Sequence, residues 1–252
     1  MTTALLRAEL TKLRTVRGPM VALGLVLAVG AGIGALDGLS ARGAIESHNP
    51  MLRPDFTAEQ AGLVGIQYAL LPMIVFGVLL VTGEYGSGMI GVSLLAVPRR
   101  GRFYAAKLTV GALAAVAVTV PATVASVTVT QLALGPYGTS PLAPGVPAAM
   151  AGAVVYLTLM CLLTAGVTVM ARNALVPLAV LLPLVMAGSQ ILSVIDATSE
   201  LSRFLPDRAG AQLTLVEPGA GDMGPAAGLA VLLAWTVAAL AGGHLALRRR
   251  DV

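Results

Sequence analysis

Charge is what this sequence has least of. Only 11% of its 252 residues are Asp, Glu, Lys or Arg, against about 25% in a soluble globular domain. A soluble fold of this length needs charge to cover its surface, so the shortage excludes an ordinary soluble enzyme and points to a surface that faces lipid. The mean hydropathy of +0.87 excludes disorder, which needs low hydrophobicity and high net charge. A single cysteine, Cys161, excludes a disulfide framework, and its place in an apolar run predicts a packed core residue. Two histidines, His48 and His244, fall near opposite ends of the predicted bundle, and there is no metal-ligand spacing, no G-x-x-x-x-G-K-S/T and no G-x-S-G. Catalysis, a bound metal and a cofactor in this chain are therefore not expected.

Long uncharged runs are what the sequence has instead. A membrane-crossing helix takes about 17 to 25 apolar residues. Runs of that length fall at residues 19–36, 60–82, 108–134, 148–171, 174–195 and 225–247. The stretch from Leu108 to Ala171 carries no charge, and Gly135-Pro136-Tyr137-Gly138 with Pro141, Pro144 and Pro147 divides it into two spans. The runs are continuous rather than alternating, which excludes a membrane β-barrel. Prolines 72, 121, 177 and 183 are tolerable inside spanning helices, and the 29 glycines permit close helix approach. The expected fold is an all-α membrane protein of six spans in a single transmembrane domain, residues 1–252.

Twelve of the sixteen basic residues lie on the side of the two termini, and nine of the twelve acidic residues lie on the other. By the positive-inside rule both termini are expected in the cytoplasm. The pI of about 9.6 then describes one face of a membrane protein, not a nucleic-acid surface. The apolar run of 18 residues at 19–36 exceeds the usual signal-peptide core, so a span is expected in place of a cleaved leader. The segment before it, about 3–17, puts Leu5, Leu6, Leu10, Leu13 and Val16 on one helical arc and Arg7 and Arg14 opposite, which suits a helix lying at the membrane interface. Glu9 falls inside the apolar arc, spaced to pair with Lys12. Its carboxylate there either reaches water or contacts another part of the protein.

No charged group sits at the middle of a span, which disfavours an ion-coupled pump. The loop after the second span, from Gly83 to Lys107, has room for a short helix that presents Ile90, Leu94 and Val97 and ends at Pro98. Such a helix either lies in the headgroups with Arg99, Arg100 and Arg102 on anionic lipid, or docks on a partner. Gln67, Gln131, Thr164, Thr168, Ser189 and Gln190 are polar positions in or near spans, each either lining a path or bonding between helices.

Glu84-Tyr85, the Leu94 to Pro98-Arg99-Arg100 stretch and Ala105-Ala106-Lys107 together resemble the E-Y-R-x-G, L-x-x-x-P-R-R and A-x-K signature of type 2 ABC transporter permeases, notably actinobacterial ones. Glu9 to Arg14 resembles the E-x-x-K-L-R start of that family's elbow helix. Leu205-Pro206 to Gly210 resembles its L-P-x-x-A-G stretch, and Arg249-Arg250-Asp251 a common ending. Gly86 and Gly91 depart from the pattern, where arginine is frequent. The resemblance implies a membrane permease of an ATP-driven exporter in the bacterial cell membrane, with an elbow helix and a cytoplasmic coupling helix. It also implies a separate cytoplasmic ABC ATPase holding ATP and magnesium, and a second, identical or related permease subunit. It assigns Glu84, Tyr85, Ile90, Leu94 and Pro98 to coupling, with Glu9 and Lys12 at the elbow. The segment 196–224 matches an outer stretch that either dips back toward the membrane or forms a plain loop. The other classes considered are an ion-coupled secondary transporter and a non-transporting membrane anchor.

Overall fold

The computed structural model describes residues 2–48, 56–86, 100–219 and 222–249. Among these residues there is no β-strand. The chain runs through α1 (Thr2–Thr15), α2 (Arg17–Glu46), α3 (Ala58–Gly86), α4 (Arg100–Leu134) and α5 (Val146–Ala171). Then come α6 (Leu175–Pro183), a π-helical turn (Leu184–Gly188) and α7 (Ser189–Val194), which together make one rod. Two short helices, α8 (Asp196–Ser202) and α9 (Pro206–Ala211), precede α10 (Pro225–Arg249). Six rods are long and apolar enough to cross a bilayer, the number expected.

The helices overrun the expected spans where polar residues can still continue a helix. The α2 helix runs on to Glu46, ten residues past Leu36, and its last turn in water is held by Arg42 Nε donating to Glu46 Oε1 at 2.8 Å. Scarcity of charge marks the hydrocarbon, not the end of the hydrogen-bonded helix. Pro72 and Pro121 lie inside α3 and α4, as membrane-spanning helices permit. The sharp turn after α5 comes from Arg172, whose backbone is left-handed (φ 55°) and whose N–H closes on Thr168 O at 2.9 Å.

The α3 helix sits at the centre, against α2, α4 and α5, while α10 packs on α5. The α2–α3–α4 seam is built from small residues. Gly30, Gly34 and Gly38 follow one another at one-turn spacing and face Ser126 and Thr130 of α4 and Gly65 of α3. Ser126 Oγ donates to Gly62 O at 2.9 Å, and Thr123 and Thr130 donate to carbonyls of their own helix. Hydroxyls buried this way carry no unmet donor into the seam. Cys161 is fully buried beside Met160 and Leu157, the core position expected of it.

At the end of the bundle away from the termini, the segment after α7 folds back onto the helices. Tyr156 of α5 donates to Asp207 O at 3.2 Å, and Trp235 Nε1 of α10 donates to Phe204 O at 2.8 Å. Gln60, at the start of α3, holds the next stretch with both ends of its amide: Nε2 donates to Thr214 O at 3.1 Å, and Val216 N–H donates to Oε1 at 3.0 Å. Gln60→Leu removes both bonds and strands two backbone groups, at about 1 to 3 kcal/mol each where they are shielded from water. Limited proteolysis is expected to cut that variant within 212–219 under conditions that leave the parent intact.

Candidate functional site

Near the termini, α1, the end of α3 and the start of α4 converge on one charged cluster. The α1 helix is amphipathic and packs chiefly on α4. It stops where Val16 turns extended (φ −89°, ψ 122°), and α2 then leaves in a new direction. The inward edge of α1 is Leu6, Glu9 and Leu13, a narrower arc than expected: Leu10 and Val16 are exposed.

Glu9 is buried at 4% exposure and lies between two ammonium groups. Lys12 Nζ donates to its Oε1 at 2.8 Å, one turn away on the same helix. Lys107 Nζ donates to its Oε2 at 2.7 Å, across 98 residues of sequence, and is itself 6% exposed. The buried ring of Phe103, one turn before Lys107 on α4, lies 5.4 Å from the Lys107 ammonium and 5.8 Å from that of Lys12. Lys107 also reaches Leu80 O of α3 at 3.5 Å. One carboxylate thus ties α1 to α4, and the same lysine touches the last turns of α3. Burial acts to raise the Glu9 carboxyl. The charges and hydrogen bonds of Lys107 and Lys12 outweigh it and hold Glu9 below its ordinary range. A cleft of about 280 Å³ beside the cluster is lined by Glu9, Lys12, Val16, Leu79, Gly83 and Lys107.

The cluster brackets the segment 87–99. It touches α3 just before that segment leaves and α4 just after it returns. Glu84 and Tyr85 belong to the last backbone turn of α3. Ile90, Leu94 and Pro98, and the short helix expected there, lie outside the described residues. Of the expected site residues, the structure brings Glu9 and Lys12 together, and it answers the open question about Glu9 with a contact to another part of the protein. Lys107 as its partner and Phe103 beneath both lysines were not singled out from sequence. Their one-turn spacing on α4 was the available signal.

The polar span positions divide sharply. Gln131 bonds between elements, Nε2 donating to Ala58 O at 2.7 Å and Oε1 accepting from Thr139 N–H at 2.8 Å. Thr164 and Thr168 donate to carbonyls of their own helix. Gln67 and Gln190 are exposed on the outside of the bundle, and Ser189 is buried. No group of three or more His, Cys, Asp or Glu with metal-binding geometry occurs among the described residues.

Comparison with known proteins adds one finding. The family model described as ABC-2 family transporter protein matches residues 5–188, from α1 through the π turn. A search of curated proteins finds no match. With six membrane-length helices and a family match over most of its length, the chain belongs to the ABC-2 transporter family, as a multi-pass permease component.

Proposed function

We propose that this chain is the permease subunit of an ATP-driven exporter and takes its energy from a separate cytoplasmic ABC ATPase carrying ATP and magnesium. Family membership makes association with an ATPase the natural arrangement, and the sequence has no nucleotide-binding loop of its own. The observation that carries the reading is the Glu9–Lys107 pair, which joins α1 to both helices flanking the segment 87–99. A push on that segment would reach α1, α3 and α4 together, because one buried ion pair and one carbonyl contact hold all three. Glu84, Tyr85, Ile90, Leu94 and Pro98 form the docking segment in this reading, and Glu9 and Lys12 brace it from the elbow. In this reading the membrane is that of a bacterial cell and both termini lie on its cytoplasmic side, an orientation supported by the basic residues gathered at this end. A second permease subunit completes the pathway, and substrate leaves outward along their interface.

The experiment is reconstitution with the ATPase. The pair is expected to co-purify, and Glu84→Arg or Leu94→Asp is expected to abolish permease-stimulated ATP hydrolysis while the chain still folds. Full stimulation in both variants would remove the docking role from this segment. Transport that follows an imposed ion gradient without any ATPase would overturn the reading as a whole.

A further inference from the structure

At the far end of the bundle, beyond the residues matched by the family, lies a polar cavity of about 310 Å³. Its lining includes Ser193, Ser202, Arg203, Arg208 and Gln212. The π turn at Leu184–Gly188 adds a residue to its turn and so resets the helical phase, and α7 then carries Ser189 inward to complete burial with Ser193 one turn on. Arg208 is held from below. Its Nη2 donates to Ser189 O at 3.5 Å and to Ser193 Oγ.

Four buried side-chain polar atoms among the described residues have no hydrogen-bond partner of good geometry: Arg208 Nε and Gln212 Oε1, whose residues line the cavity, and Ser189 Oγ and Asp207 Oδ1, whose side chains interact with each other. Buried polar groups are ordinarily satisfied, and a cluster of unmet ones beside a cavity marks a place prepared for something polar. The local charge decides its sign. The Asp222 carboxylate accepts from Gly219 N–H at 2.7 Å, and Glu200 pairs with Arg203 at 3.2 Å on the exposed rim. Burial pushes the Asp207 carboxyl above its ordinary range despite Arg208 beside it. Arg203 is paired with Glu200, whereas Arg208 makes no ion pair within 4 Å among the described residues, so its guanidinium is the cation left to meet an anion in a cavity that the Asp222 carboxylate also lines.

We propose that this cavity binds a phosphate-type oxyanion, carried on an anionic lipid headgroup or free in solution, with Arg208 as its principal contact and Arg203 at its rim. Guanidinium N–H groups at a small polar cavity match phosphate oxygens in geometry and charge. The site does not depend on ATPase coupling at the opposite end.

Trp235 is the sole tryptophan, and its bond to Phe204 O places it beside this segment as a native reporter. Its emission is followed with the full chain in phosphatidylcholine nanodiscs, titrated with sodium phosphate against sodium chloride at matched ionic strength, and in parallel discs containing phosphatidylglycerol. A saturable change is expected in at least one arm, and the responding arm tells free phosphate from a lipid headgroup. Arg208→Gln is expected to weaken it roughly tenfold or more, the effect of losing a charged hydrogen bond. Arg203→Gln, on the exposed rim, is expected to weaken it about twofold to threefold, and carries the test if Arg208→Gln does not fold. No saturable change in either arm, or an undiminished response in the folded variants, overturns the proposal.

Discussion

Replacing Glu9 by glutamine is expected to lower the unfolding free energy by about 3 kcal/mol, the lower end of the cost of removing one partner from a buried ion pair. Glutamine keeps the shape but only one accepting oxygen, so the change removes the charge and one of the two ammonium bonds, and sets an amide NH2 against the other lysine. What it removes is the counter-charge 2.7 Å from Lys107, an ammonium at 6% exposure where water cannot replace it. For a chain of this length the shift in unfolding temperature is about 6 to 12 °C. Cys161 provides the measurement, because the sole thiol is fully buried and reacts with a thiol-specific dye only on unfolding. Lys107→Met is expected to cost a similar amount. The double variant Glu9→Gln/Lys107→Met is expected to recover part of the loss, since it leaves neither charge buried against the other's absence. A coupling energy in that cycle below about 0.5 kcal/mol would show that the pair is not the tie described here. The acid dependence follows from the sign of the shift. Glu9 is held below its ordinary range in the folded chain, so its stabilisation is complete above the unfolded carboxyl value of about 4.3 and disappears as pH falls through the lower, folded value. The gap between parent and Glu9→Gln is therefore expected to be constant from neutrality to about pH 5 and to close in stronger acid.

The six spans were legible because each rests on a local property, a run of residues without charge. The turn at Arg172 was legible for the same reason, as the break between the runs 148–171 and 174–195. Glu9 was legible as an anomaly, a carboxylate on an apolar arc, but its partner lay 98 residues away and nothing local names a partner at that distance. The fold-back after α7 was hidden likewise, since Gln60 and Thr214 are 154 residues apart. The π turn has a partial signal in Pro183, which removes one backbone donor, but whether the helix answers with a kink or a bulge depends on what packs around it. Gly30, Gly34 and Gly38 show their one-turn spacing plainly in the sequence. Their consequence became specific only when α3 and α4 were seen to fill the groove that they leave.

That groove gives the second large effect. In Gly65→Ala the added methyl would overlap Gly30 O, and it would stand 2.7 Å from Ser126 Oγ and 2.9 Å from Gly34 N. A carbon needs more than about 3 Å from each of them, and two of the three are backbone atoms that no rotamer change can move. The serine can turn away, but only by giving up its bond to Gly62 O. The α2 and α3 axes must therefore separate by about 1 Å, which loosens dispersion contacts along the whole seam, and the expected cost is about 3 kcal/mol or more, the upper end for overpacking. A better helix former replaces glycine here, so propensity acts the other way by about 1 kcal/mol and sets the control. Gly24 and Gly32 lie on α2, with no protein atom within 4 Å of where an added methyl would stand. Gly24→Ala and Gly32→Ala are thus expected to leave the Cys161 unfolding midpoint unchanged or slightly raised, whereas Gly65→Ala lowers it by about 6 °C or more. If Gly65→Ala unfolds with the controls, the close approach of α2 to α3 is not what holds this half of the bundle. If it alone falls, three glycines one turn apart on α2 have set how near the first two spans can come, and with that the position of the far end of α3, where Leu80 meets Lys107.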